Sequence, residues 1–268
     1  SAEAVTDVLR LSQGMSYKNI MADLPIGGGK SVIMRPEGDF DRQALFEAFG
    51  RALESLNGQY ISAEDVGVSP DDMVAARRTT RHVVGLPDGT GDPSPVTAKG
   101  VFMGIQAAAA RGLGSEDLKG VKIAVQGATG HVGAYLCRHL AEAGAELHLA
   151  DIRAAELHAL AKELGATVVE DPNAIYDVDA DIFTPCALGA IINPETIDRL
   201  KVKVVAGAAN NQLETREMGA ELQKRGIFYA PDYVINAGGI INVMGELDAR
   251  FDAKWVEGKL VTLKATLG

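Results

Sequence analysis

Cysteine is scarce in this chain: Cys137 and Cys186 are the only two among 268 residues. They lack the paired spacing of a zinc site and are too few for a disulfide framework, so no metal is expected and a reducing, cytoplasmic setting is. Cys137 lies on an apolar helical pattern and reads as packing, whereas Cys186, in "TPCALGA", leaves a reactive thiolate open. Basic excess is absent as well. The formal net charge is −10, which removes the electrostatic footing that nucleic-acid binding needs. No apolar run is long enough to span a bilayer and no secretory leader is expected, so neither a membrane nor a nucleic acid is an expected partner.

What is present describes an ordinary globular protein, 47% hydrophobic and 23% charged, long enough for one large domain or two of common size. Val5, Val8 and Leu9 sit at helical spacing, so the chain opens on an amphipathic helix. "KNIMADLPIGGGKSVIMRP" reads as extended segments interrupted by a glycine turn, followed by a helix over "DRQALFEAFGRALESL" and a short strand in "YISAEDVGVS". "LPDGTGDPSPVT", from Leu86 to Thr97, is dense in glycine and proline and is the expected hinge. Beyond it, apolar strand-like runs ("VKIAVQG", "ELHLAD", "DIFTP", "KVVAGA") alternate with helical stretches. That alternation predicts a doubly wound α/β domain. The expected plan is an N-terminal α/β substrate domain over 1–92, a Rossmann-like dinucleotide-binding domain over 93–245 and a helical segment over 246–268.

Gly127, Gly130 and Gly133 fall between a strand-like run and an amphipathic helix, in "VKIAVQGATGHVG". A tight turn, a bare backbone and a helix N-terminus suit a pyrophosphate. Asp151 closes the next strand and is positioned for the hydroxyls of an adenosine ribose, favouring NAD, while Arg153 tempers that preference. Lys18 and Lys30 stand among apolar residues, the second directly after three glycines. Desolvation or a crowding cation lowers a lysine's pKa, so one ammonium can hold a substrate carboxylate while the other works as a base.

Six blocks in order, "GMSYKNIMADLPIGGGK", "AEDVGV", "GDPSPVTAKGV", "DIFTPCALGAIIN", "VVAGAANNQL" and "VINAGGIINV", span the chain. Together they resemble the glutamate/leucine/phenylalanine/valine dehydrogenase family, and its leucine, phenylalanine and valine branch in particular. The resemblance implies reversible oxidative deamination of an L-amino acid to a 2-oxo acid and ammonia, with NAD as cofactor and a homo-oligomeric assembly. By the same resemblance Lys18 binds the substrate carboxylate, Lys30 activates water and Asp65 exchanges a proton with the substrate nitrogen. Met15, Ile240 and Val243 line the side-chain pocket, Thr97 and Asn210 serve the nicotinamide and its ribose, and Asn211 approaches the substrate. Plain packing competes for Met15, Ile240 and Val243, helix initiation for Thr97, and turn formation for the two asparagines. An apolar Val243, where glutamate-specific relatives are polar, implies an apolar substrate, because a bare carboxylate there goes unpaired.

Two features depart from the family pattern. The phosphate loop "GATGHVG" is one residue longer than the usual G-x-G-x-x-G. Both ends are also short against the family, which keeps open a second expectation, a catalytically weak NAD-binding remnant. A different oxidoreductase is the third.

Overall fold

A single helix, α1 (Ala2–Met21), opens the chain in the computed structural model, which describes residues 2–65, 67–86, 89, 91–248 and 250–268. It ends where Asp23 takes a left-handed φ of 52° and the Leu24 amide donates to the Asn19 carbonyl at 2.9 Å. The expectation of extended backbone from Lys18 onward is therefore corrected: Lys18 to Met21 are helical, because the first strong breaker is Pro25. Among the described residues no strand follows before the next helix.

That helix is α2 (Arg42–Ser55), capped by Asp41, whose carboxylate accepts the Ala44 amide at 3.0 Å. Strand β1 (Ser62–Ala63) pairs in parallel with β2 (Val83–Val84), and α3 (Pro70–Arg77) lies between them in sequence. A capping box starts α3: Ser69 and Asp72 exchange hydrogen bonds, and Arg42 of α2 places two N–H groups on Asp72 at 2.7 Å each. Phe46, Leu53, Met73, Ala76, Val83 and Leu86 form the core beneath these elements.

The second part of the chain begins with α4 (Ser94–Gly112) and proceeds through β3 (Lys122–Gln126), α5 (His131–Glu142), β4 (Glu146–Ala150), α6 (Ala154–Leu164) and β5 (Thr167–Val168). After a 3-10 turn over Pro172–Asp177 come β6 (Ile182–Pro185), β7 (Val204–Val205), α7 (Glu217–Lys224), β8 (Phe228–Tyr229) and α8 (Asp232–Ile235). Six strands form one sheet in the order β5-β4-β3-β6-β7-β8, every pair parallel. The direction of winding reverses between β3 and β6, which is where an open α/β sheet receives a ligand, beyond the carboxyl ends of the strands. The middle of the run "VKIAVQG" is apolar because β3 is central: Ile123, Ala124 and Val125 are at most 1% exposed.

Two helices complete the chain, α9 (Gly238–Leu247) and α10 (Ala253–Leu267). The molecule divides into two compact units, Ser1–Pro93 with Ile240–Val256 and Ser94–Gly239 with Glu257–Gly268. The segment 246–268 thus does not stand apart as one helical tail. Its first part belongs to the first unit, while Leu260, Leu263 and Leu267 bury themselves in the second. Pro87, Asp88 and Thr90 of the expected hinge lie outside the described residues.

Candidate active site

Three glycines in a row pose a physical question in the first unit, and for Gly28 and Gly29 the answer is proximity. None of Gly27, Gly28 and Gly29 has a positive φ. A Cβ on Gly28 would stand 2.2 Å from the Ser16 amide nitrogen and 2.4 Å from the Ser12 carbonyl oxygen, while one on Gly29 would stand 2.8 Å from the Tyr60 ring. The loop is laid directly against α1, and Asn19, 1% exposed, ties it there by donating to the Gly27 carbonyl at 2.6 Å. Lys18 is the neighbour of Asn19 in the last turn of α1, and Lys30 leaves the other end of the same glycine loop. Close packing of bare backbone on helix therefore fixes the segments that carry the two lysines.

Lys30 is ion-paired with Asp65, and its side chain is only 23% exposed against 44% for the aspartate. Burial lowers the Lys30 pKa from its ordinary value. Of the two causes open to the sequence, desolvation or a crowding cation, the structure supplies desolvation. Met15 and Lys18 are half-buried on α1, Ile240 is half-buried on α9, and Val243 on α9 is 5% exposed. All six of these positions fall in the first unit. Sequence reasoning missed Asn19, Tyr60 and Glu246. Glu246 accepts the Gly85 amide on both oxygens, at 3.0 and 2.9 Å, and its signal was present, since it is the sole charge in "GGIINVMGEL".

The second unit holds the residues expected from the sequence to meet a cofactor. Gly127 follows β3 with φ +74°, and its amide donates to the Ala150 carbonyl at 2.9 Å. A Cβ on Gly133 would stand 2.2 Å from the Gly127 carbonyl oxygen. Gly130 is the N-cap of α5, and no side chain caps it, which leaves the first-turn amides to an outside acceptor. This cradle fits a pyrophosphate. The Asp151 side chain is 6% exposed and accepts the Thr129 amide at 3.0 Å and the Arg153 amide at 3.1 Å. Burial raises its pKa, but the hydrogen bonds from Thr129 and Arg153 and the Arg153 charge outweigh it, so the carboxyl titrates below its ordinary value.

Thr97 is buried in the first turn of α4, and Gly238 packs on it so closely that a Cβ would stand 2.8 Å from the Thr97 Cα. Asn210 and Asn211 are exposed after β7, with Asn211 at φ +50°. Asn236, 5% exposed and also missed, donates to the Asn210 side chain at 2.8 Å and to the Ala208 carbonyl at 3.0 Å. Because Asn236 is two residues from Gly238, one short stretch touches both the Thr97 and Asn210 segments. Burial pushes the Cys186 thiol up to about 12, and that of Cys137 higher, so neither is a thiolate at neutral pH. Among the described residues, no cluster of acidic, histidine or cysteine side chains could hold a metal, and no helix is long and apolar enough to cross a membrane.

A six-stranded parallel sheet in this order, with a glycine cradle at its first crossover, defines a dinucleotide-binding Rossmann protein. Two family models match it, "Glu/Leu/Phe/Val dehydrogenase, dimerisation domain" over residues 1–82 and "Glutamate/Leucine/Phenylalanine/Valine dehydrogenase" over 146–262. The chain belongs to the Glu/Leu/Phe/Val dehydrogenase family, of amino acid dehydrogenases working with a nicotinamide cofactor. It is 52% identical to leucine dehydrogenase of Thermoactinomyces intermedius, over 91% of this chain and 67% of the relative. With phenylalanine dehydrogenase of Bacillus thermotolerans it shares 46% identity, over 91% of this chain and 66% of that one. The crystal structure of L-tryptophan dehydrogenase from Nostoc punctiforme superposes with a TM-score of 0.82 at 44% identity, covering 98% of this chain and 76% of that one. The chain thus spans about two-thirds of the length of the curated relatives.

Proposed function

We propose that this chain catalyses the reversible, NAD-dependent oxidative deamination of an apolar L-amino acid, of the leucine, phenylalanine or valine kind, to its 2-oxo acid and ammonia. The observation that carries the proposal is the partly buried Lys30 paired with Asp65, on a chain about half identical to leucine dehydrogenases.

Lys18 holds the substrate carboxylate and so orients Cα. Oxidised nicotinamide, when bound, supplies the acceptor for the hydride leaving Cα. Lys30, its pKa lowered by burial, takes a proton from water, whose oxygen attacks the iminium carbon that remains. Asp65 takes a proton from the substrate ammonium before the hydride leaves and returns it to the nitrogen of the water adduct. Ammonia departs as the adduct's hydroxyl proton passes to Asp65 and its C–O bond becomes the 2-oxo carbonyl. Thr97, Asn210 and the cradle of Gly127, Gly130 and Gly133 hold the cofactor, and Asn211 approaches the substrate. Asp151 supports NAD over NADP, since a carboxylate at the end of β4 suits ribose hydroxyls and repels a ribose phosphate, with Arg153 tempering the difference. Met15, Ile240 and the buried Val243 offer an apolar wall, which supports an apolar side chain in the substrate.

A homo-oligomer built through the first unit belongs to the same proposal. The "dimerisation domain" description of residues 1–82 supports it, as do Val5, Leu9 and Ile20 of α1, exposed by 57%, 63% and 70%. The two free thiols support a cytoplasmic setting. The test is NADH formation across leucine, phenylalanine, valine, tryptophan and glutamate, repeated with NADP and with Lys30→Ala. Turnover of the apolar amino acids that disappears in the variant is the expected result. Tight NAD binding without amino-acid-dependent reduction would identify a non-catalytic remnant instead.

A further inference from the structure

The phosphate loop carries one residue more than the G-x-G-x-x-G spacing, between Gly127 and Gly130. Extra length in a turn adds freedom, and a loop that must present several amides to one anion loses affinity when it wanders. The structure shows what restrains it. Ala128 donates to the Ala150 carbonyl at 3.2 Å, Gly130 donates to the Gly127 carbonyl at 3.1 Å, and Thr129, between them, donates to Asp151 Oδ2 at 3.0 Å. The Thr129 amide of the enlarged turn is thus held by a side chain, and the carboxylate that holds it is the one expected to meet the adenosine ribose. That carboxylate is itself fixed. Arg153 binds the other oxygen through its amide at 3.1 Å and through Nε at 3.4 Å, and the side chain is 6% exposed.

We infer that Asp151 is a positioning residue for the lengthened phosphate loop, acting through the Thr129 amide, so that it governs recognition of a nucleotide's pyrophosphate as well as of its ribose. The inference rests on the nicotinamide-cofactor assignment and extends it to a second duty of one side chain. The sign of a substitution separates the two duties. A carboxylate that served the ribose alone would repel a nearby pyrophosphate, and removing it would leave a ligand without ribose hydroxyls bound as well or better. A carboxylate that also shapes the loop makes its removal harmful to that same ligand.

The experiment is calorimetric titration of the full chain with ADP and with dideoxy-ADP lacking both ribose hydroxyls. Asp151→Ala is expected to weaken both ligands by about tenfold, the size of a lost charge-assisted hydrogen bond. Asp151→Asn, which keeps an acceptor for the Thr129 amide, is expected to bind dideoxy-ADP within about threefold of the native chain. Native-state hydrogen exchange gives a second measurement, independent of any variant's folding, and protection of the Thr129 amide in the ligand-free protein is expected. A Asp151→Ala penalty confined to ADP, or free exchange at Thr129, overturns the inference alone. A native chain that binds neither ADP nor NADH overturns the cofactor assignment along with it.

Discussion

Lys30 sits where two influences on an ammonium oppose each other. Burial favours the neutral amine and lowers the pKa below the ordinary 10.5, while the paired Asp65 carboxylate favours the charged form. A base in this setting gains activity as it loses its proton. The rate of deamination is therefore expected to rise with pH, with a midpoint below 10.5, in steady-state profiles of kcat/KM. Asp65→Asn removes the influence that holds the proton on, so its midpoint should move further down even as the rate falls; an upward shift would contradict the pairing. Lys30→Ala should lower kcat by roughly a hundred- to ten-thousandfold, the range for a lost general base. Lys18→Ala should instead act mainly through substrate binding, costing about tenfold or more in kcat/KM for want of a charged partner to the carboxylate.

At the scale of elements, the glycine loop is packed directly on α1. Gly27 and Gly28 are adjacent and neither needs a left-handed backbone, yet their surroundings differ completely. Gly27→Ala meets nothing within 4 Å and should leave stability and activity close to native. Gly28→Ala meets backbone of Ser12 and Ser16 that cannot yield, so it should cost about 1–3 kcal/mol in denaturant unfolding and reduce activity by shifting Lys30 relative to α1. The capping box of α3 offers a second test. Arg42 and the Ser69 bonds hold the Asp72 carboxyl below its ordinary pKa, although burial opposes them. A depressed folded pKa contributes stability above the unfolded value and loses it as pH falls through the folded one. Asp72→Asn should therefore be less stable than the native chain by about 2 kcal/mol at neutral pH, and the gap should close under acid. The cap at "SPDD" was not among the features read from the sequence, and its tie to Arg42 could not be, because the partners are far apart in sequence and meet only when α2 packs on α3.

For the whole molecule, a cofactor that binds the native state and not the unfolded chain must raise thermal stability. NADH at about a hundred times its Kd should add about 2.7 kcal/mol, seen as a rise of several degrees in Tm, and NADPH should add less if Asp151 sets the preference. What the sequence by itself determined is the alternation of strand and helix in the second unit, with four of its six strands, the glycine crossover and the family. Those features are written in local periodicity and in short motifs, which need no distant partner to be read. Only the tertiary structure decided that Gly28 lies against Ser12 and Ser16 and Gly29 against Tyr60, that α1 runs on through Lys18, and that Asn19, Asn236 and Glu246 hold the surrounding loops. It also decided that Thr129 is held by Asp151. The physical reason is common to all of them: each depends on which distant backbone lies within hydrogen-bond or van der Waals reach, and that distance is set by the packing of elements rather than by the residues along any one of them.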